Sequence, residues 1–497
     1  MSTPPPPPLP RLRNFINGAF VDAQSGATLD DVDPATGRPS ALIPRSGAAD
    51  VEAAVAAARA AAPAWAATPA AARAALLERL ADAIERRAPA LARLEAEDAG
   101  KTLSMASTVD IPRAVANLRF FAGAVRHDST AASVMGDGAG GLGSAVNYAL
   151  RVPVGICGLI TPWNLPLYLL TWKVAPALAC GNCVVAKPSE VTPRTAHALA
   201  ELSIEAGLPP GVLNVVHGLG SEAGSALVEH PLVRCVSFTG GTATGAVVAR
   251  AAAPLFKKLS LELGGKNSTI IFADYPLDKA VAAAVRAGFT NNGQVCLCGS
   301  RVLVQRALLD AFVPAFAAAV AALRVGAPLA AGTDVGPVSC AAHRDKIVSY
   351  IRLAAEEGGT YACGGPEPPE GLPEECAGGF FVRPTVVTGL AATSRCSTEE
   401  VFGPFVTVHG FEDEAEAIAI ANNTRYGLAC SVWTTNLGVA HRVARGVEVG
   451  IVWANCWLHR DLRTPFGGVK DSGVGREGGP HSLDFFSELK NVCVALS

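Results

Sequence analysis

Beyond Arg151 the chain alternates short β-rich runs with helical stretches, and this alternation restricts the possible folds more than any other feature. The runs Gly155-Ile156-Cys157-Gly158-Leu159-Ile160, Cys183-Val184-Val185-Ala186, Val212-Leu213-Asn214-Val215-Val216 and Val233-Arg234-Cys235-Val236-Ser237-Phe238 are strand-like, and helical patterns separate them. Strands joined by helices predict a doubly wound parallel sheet. Ligands of such sheets sit beyond the carboxyl ends of the strands, where Asn164, Lys187 and a turn at Gly240 all fall. A second alternation, from Ser268-Thr269-Ile270-Ile271-Phe272 to about Ala454, predicts a second α/β domain. Ahead of the first sheet, Ala, Leu and Arg recur at helical spacing from Ala49 to about Glu97, with Pro63 and Pro69 expected as interruptions.

At 497 residues the chain exceeds one ordinary core, and a prior of about 150 residues per domain suggests two to four units. Half of the residues are hydrophobic, but much of that share is alanine in helical stretches such as Val51 to Leu77, so the positive mean hydropathy is a poor guide to membranes. No uninterrupted apolar run reaches the roughly 20 residues of a membrane span. A net charge of −3 with 17% charged residues offers no basic tract for nucleic acid. A small molecule is the expected partner. Residues 1–12, with Pro4 to Pro8 in a row, have neither the apolar core of a signal peptide nor an Arg-rich presequence pattern, and are expected to form a disordered polyproline tail. Thirteen cysteines without a small-scaffold framework fit a reducing cytosol. Cys180-Gly181-Asn182-Cys183 has CxxC spacing but no second pair or paired histidines nearby, so it reads as structural and no metal is expected.

Two further segments are extended. Gly136 to Gly143 lacks the Lys-Ser or Lys-Thr of a phosphate loop and reads as a hairpin turn, followed by Ser144 to Leu150; Glu488 to Leu496 is a second extended stretch.

The chemistry concentrates in two places. Phe289-Thr290-Asn291-Asn292-Gly293-Gln294-Val295-Cys296 presents a cysteine in a polar, glycine-bearing turn, and Leu261-Glu262-Leu263-Gly264-Gly265-Lys266 carries an acid. A thiolate attacks carbonyls and a carboxylate activates water, so the pair suits covalent catalysis with a general base, although any one of thirteen cysteines is more often inert packing. Gly240-Gly241-Thr242-Ala243-Thr244-Gly245 follows a strand and opens a helix expected over Thr244 to about Ala252. That context suits either a tight turn or a pyrophosphate held on backbone N–H groups.

These segments resemble signatures of the aldehyde dehydrogenase superfamily: the glutamate motif around Glu262, the cysteine motif around Cys296 and, in family order, Thr161-Pro162-Trp163-Asn164, Lys187-Pro188-Ser189-Glu190, Phe238 to Gly245, Glu400-Val401-Phe402-Gly403-Pro404 and Pro465-Phe466-Gly467-Gly468. Small departures are Gly241 in place of a serine in the GSTxxG turn and Ser268 in place of a small apolar residue after the glutamate motif. The resemblance implies an NAD-dependent, hydrolytic dehydrogenase with Cys296 as nucleophile, Glu262 as the base that hydrolyses the thioester, and Asn164 with the Cys296 amide as oxyanion donors. The presence of Glu262 speaks against the branch that passes its thioester to coenzyme A. Cys298 is left as a pocket-lining neighbour, and Lys173 and Glu477 resemble proposed proton-relay residues.

NAD is expected along Ile160, Thr161, Pro162, Trp163, Lys187, Ser189, Glu190 and Gly220, along the turn Phe238, Thr239, Gly240, Gly241, Thr242 and Gly245, and at Leu263, Glu400 and Phe402. A carboxylate at Glu190 accepting from ribose hydroxyls would repel the extra phosphate of NADP. By the same resemblance, residues 13–128 and 151–262 form the NAD-binding domain, 263–460 the catalytic domain, and 129–150 with 480–497 an arm that makes dimers or tetramers. The stretch Trp453 to Gly468 resembles 2-aminomuconic and 2-hydroxymuconic semialdehyde dehydrogenases, in which arginines at the Arg460 and Arg113 positions grip the substrate carboxylate. The plainer readings are Arg460 paired with Asp461 or another acid and Arg113 on a solvated helix face. His459 stands where relatives carry an apolar residue.

Overall fold

The computed structural model describes residues 8–136 and 143–496. Its largest sheet runs, in spatial order, Ala19–Val21, Asn14–Ile16, Leu213–Val215, Cys183–Lys187, Ile156–Ile160, Val233–Thr239, Lys258–Glu262 and Gly473–Val474. The five middle strands are parallel, and the chain winds outward from Ile156–Ile160 first to one side and then to the other. The order therefore reverses between Ile156–Ile160 and Val233–Thr239. Such a switch point opens a crevice beyond the carboxyl ends of the two strands, and Ile160 and Thr239 are its lips.

The second sheet has the order Thr360–Cys363, Thr385–Thr388, Phe405–Phe411, Arg301–Gln305, Ser268–Ile271, Ala429–Trp433 and Ile451–Ala454, all parallel except the first. Both sheets are covered by helices, the doubly wound α/β arrangement expected. One apolar core gathers buried side chains from Phe15 to Leu263 together with Leu483 and Phe486. Another runs from Ile271 to Phe466.

A third sheet is antiparallel: Ala132–Met135 pairs with Ala145–Pro153, which pairs in turn with Ser487–Ala495. The glycine-rich turn between the first two strands lies mostly outside the described residues. Val134, Met135, Leu489 and Val494 are exposed on this sheet.

Three expectations need correcting. Pro63 does not interrupt its helix, which runs unbroken over Ala48–Ala67. Val51, Ala54, Val55, Ala58 and Trp65 bury its inner face, and that packing outweighs the one backbone hydrogen bond a proline forfeits. The helix after the Gly240 turn begins at Thr242, two residues early, because Gly241 supplies the extended N-cap. The N-terminal tail ends before Leu12: Leu42 N–H donates to Pro10 O and Leu12 N–H to Leu42 O, at 2.9 and 2.8 Å. No helix among the described residues is long and apolar enough to cross a membrane.

Candidate active site

Cys296 stands on a loop whose shape is dictated by its asparagines. Asn291, Asn292 and Gly293 follow one another at φ of 54°, 58° and 72°. Asparagine tolerates this left-handed region because its amide bonds locally. Here Asn292 Nδ2 donates to the carbonyls of Gly100 and Pro337 at 3.2 and 2.8 Å and its Oδ1 accepts from Gly336 N–H, while Asn291 Nδ2 donates to the carbonyls of Asn164 and Gln294, both at 3.1 Å. The turn is therefore anchored to both halves of the molecule. At Gly293 a side chain would also run into the Gly403 carbonyl. Gly293→Ala is expected to lower the thermal midpoint, combining a strained φ of about 1 kcal/mol with that collision. An unchanged melting curve would show the loop to be less fixed than its contacts imply.

Cys296 lines a cavity of about 230 Å³ with Asn164, Trp163, Gly240, Leu263 and Glu400. Asn164 Nδ2 donates to Gln294 O at 2.8 Å, which fixes the amide plane and leaves its second hydrogen for another acceptor. Burial pushes the Cys296 thiol up, and the carboxyls of Glu262 and Glu400 add to this while Arg460 opposes it. Burial and the two carboxyls favour the thiol form. Cys298, expected to line the pocket, instead turns into the second core, its Sγ donating to Thr290 O at 3.8 Å.

Glu262 ends the strand Lys258–Glu262, is buried, and has no hydrogen-bond partner on either carboxylate oxygen. Burial holds its carboxyl well above the usual range, Glu477 pushes the same way, and Lys173, Arg460 and Arg476 offset only part of the rise. Glu477 is its opposite. Although buried, it is held below the ordinary value by Lys173 at 2.8 Å, by the Trp172 indole N–H at 2.6 Å and by the Ser237 hydroxyl. Two carboxyls whose environments drive their protonation apart are suited to different roles. One is biased toward holding a proton and the other toward giving it up.

On the other side of the crevice, Gly241 lines the first cavity, while Ala243 and Thr244 line a second of about 510 Å³ with Ile160, Glu190, Gly220 and Phe238. The first turn of the helix Thr242–Ala252, with N–H groups that have no partner inside the helix, thus stands between two hollows. A Cβ at Gly241 would meet nothing within 4 Å, so the missing serine hydroxyl leaves open space; one at Gly245 would strike Leu263. Two hollows bridged by a helix N-terminus fit a dinucleotide, with its pyrophosphate at the bridge. Lys187 and Glu190 pair at 2.6 Å, and Glu400 accepts from Gly265 N–H at 2.7 Å. Thr161 and Ser189 are buried, Ser189 Oγ accepting from Val191 N–H, and neither lines these two cavities; Pro162 and Thr239 line the first cavity directly.

Arg113 and Arg460 come together around an aromatic cluster. Arg113 lies over Tyr168 and Trp172 at 5.4 and 5.9 Å, and Arg460 over Phe466 and Trp172 at 3.9 and 5.2 Å. Arg460 also donates to the Tyr168 hydroxyl at 3.3 Å. Asp461 is taken by Arg463 at 2.5 Å, and Arg113 is only half exposed, so neither plainer reading describes these residues. Buried N–H groups remain open on both guanidiniums. Burial and then the neighbouring Arg460 lower Arg113 from its usual range.

Residues 20–492 match the Aldehyde dehydrogenase family. The chain belongs to the aldehyde dehydrogenase family. The 2-hydroxymuconic semialdehyde dehydrogenase of Pseudomonas sp. (strain CF600) is 49% identical over 98% of this chain and 99% of its own length. The 2-aminomuconic semialdehyde dehydrogenase of Danio rerio is 48% identical over 97% of this chain and 98% of its own. Among solved structures, PnpE in complex with nicotinamide adenine dinucleotide has a TM-score of 0.94 and 42% identity, with 98% of each chain covered; PnpE comes from Pseudomonas sp. WBC-3.

Within this aldehyde dehydrogenase chain, sequence reasoning missed four residues of the cavity, Leu169, Gly264, His343 and Lys346, of which the last two hold other parts of the site in place. His343 and Lys346 lie on the helix Ala341–Glu356, where His343 Nε2 meets Phe402 O at 2.7 Å and Lys346 Nζ donates to Glu400 O at 3.0 Å. They brace the segment that carries Glu400 and Phe402. No motif marks them, and only the packing of this helix against that segment reveals their place.

Proposed function

We propose that the protein oxidises a carboxylate-bearing semialdehyde, 2-aminomuconate or 2-hydroxymuconate semialdehyde, to the acid with NAD. The observation that carries this reading is the pair of guanidiniums, Arg113 and Arg460, with open N–H groups and no carboxylate partner beside the Cys296 cavity. Two cations around one aromatic cluster, reached by the fields of Asp461 and Glu262 but ion-paired to neither, favour a ligand that brings an anion. Relatives named for muconic semialdehydes support the same choice.

The reaction follows from the residues. The Cys296 thiol loses its proton to solvent in the open cavity, and the thiolate Sγ bonds to the aldehyde carbon as the carbonyl π pair moves onto oxygen. The free Asn164 amide hydrogen and the Cys296 N–H donate to the oxygen as it becomes an oxyanion, and loss of one such donor costs about 3 kcal/mol of transition-state stabilisation. NAD, when bound along Glu190, the Gly240 turn and Glu400, supplies the acceptor for the hydride. Glu262 then takes a proton from water, which attacks the thioester and frees the acid and the Cys296 thiol. Lys173 and Glu477 form a buried pair next to Glu262 and relay its proton outward. We assign the enzyme to the cytoplasm as a homo-oligomer assembled through the antiparallel arm.

The test compares NADH formation from 2-hydroxymuconic semialdehyde with that from an uncharged aldehyde of similar length. Arg113→Ala and Arg460→Ala are each expected to cut kcat/KM for the charged substrate by roughly thirtyfold, the worth of a charged hydrogen bond of about 2 kcal/mol. The uncharged aldehyde should be little affected. Equal turnover of both aldehydes by the parent, untouched by either variant, would leave a general aldehyde dehydrogenase instead.

A further inference from the structure

Behind the active-site loop lies a third, much smaller hollow with an excess of positive charge. It measures about 10 Å³ and is lined by Lys266, Ser268, Arg301, Tyr426 and Cys430 among others. Lys266, Ser268 and Arg301 are 2%, 3% and 1% exposed. Lys266 Nζ and Ser268 Oγ have no hydrogen-bond partner. Every hydrogen bond from the Arg301 guanidinium ends on a neutral carbonyl, that of Lys266, Ile420 or Ala421, at 3.0, 2.9 and 2.7 Å. Glu400, an acid whose field reaches Lys266, is occupied by Gly265 N–H and lines the neighbouring cavity.

We infer that this hollow is a structural anion site that takes one chloride, held by Lys266 Nζ and Ser268 Oγ in the field of Arg301. Two buried cations with no ion-paired acid are unfavourable, the Glu400 field reaching Lys266 only from the neighbouring cavity, and a monatomic anion accepts from the ammonium and the hydroxyl at once. Space of this order admits about one water-sized sphere, which excludes phosphate and carboxylates. Burial and the repulsion of Arg301 push the Lys266 ammonium down to about 7, and an anion in the hollow holds it protonated. Ser268, which replaces a small apolar residue of the glutamate motif, provides the hydroxyl donor. The occupant braces a loop that matters: Lys266 directly follows Gly265, whose N–H carries Glu400, and lies four residues after Glu262.

Crystals of the whole protein grown in sodium bromide decide the point. An anomalous bromide peak within contact distance of Lys266 Nζ and Ser268 Oγ is expected; a peak-free hollow, or one holding only water, overturns the assignment. In solution the thermal midpoint should rise on replacing sodium gluconate by sodium chloride at equal ionic strength. Ser268→Ala and Lys266→Met should both lose that rise. Ser268→Ala removes only a hydroxyl, so it keeps the test open if Lys266→Met fails to fold. A rise that persists undiminished in Ser268→Ala also counts against the site.

Discussion

Glu262→Gln is expected to form one equivalent of NADH per active site and then fall nearly silent. The first half of the reaction needs Cys296 and the oxyanion donors, and these are untouched. The second half needs a base for water, and a general base of this kind contributes about 10²–10⁴-fold. The burst is read by stopped-flow absorbance and the stalled acyl-enzyme by intact mass. Linear turnover at the parental rate would remove Glu262 from the mechanism. In the parent, the ascending limb of the pH–rate profile lies above the ordinary carboxylate range, because burial keeps Glu262 protonated until the pH exceeds its raised value. The sign for stability runs the other way. A carboxyl raised in the fold binds more protons there than in the unfolded chain, so it costs stability as pH climbs from its ordinary value through the raised one. The glutamine variant should therefore melt no lower than the parent at neutral pH, inactive but intact.

Cys296→Ala is the larger lesion. Removing a nucleophile that acts as part of a unit lowers turnover on the order of 10⁶-fold. NAD affinity, measured by calorimetry, should survive, because the helix Thr242–Ala252 and the larger hollow lie apart from the thiol, which lines only the first cavity. Cys298→Ser provides the contrast: its side chain sits in the core, and activity should be retained. Loss of activity in Cys298→Ser with retention in Cys296→Ala would reverse the assignment of the nucleophile.

The two doubly wound sheets were legible from β-rich runs separated by helical patterns, since strands buried on both faces are apolar throughout. The Cys296, Glu262 and Asn164 segments were legible as sharp turns from their glycines, prolines and asparagines, and their chemical roles only through the family resemblance. Pro63 misled because a proline's local cost was visible and the burial of Val51, Ala58 and Trp65 was not. Cys298 misled because spacing from Cys296 does not say which way a side chain turns after a bend. His343, Lys346 and the Lys266 hollow were invisible for one reason: each depends on elements far apart in the chain meeting at a point.

The first sheet is not finished by the residues that begin it. Its last strand is Gly473–Val474, its core takes in Leu483 and Phe486, and Ser487–Ala495 pairs along nine positions with Ala145–Pro153. Contacts spanning more than three hundred positions slow folding, because the chain must close a very long loop before they repay it. During vectorial synthesis the earlier α/β unit waits with an open edge until the later one has emerged, and the Glu477 anion reaches Lys173 only then. Assembly order thus keeps the Glu262 and Glu477 carboxyls apart until the strand Gly473–Val474 has emerged, and the exposed edge in the meantime is the stretch a chaperone would have to cover.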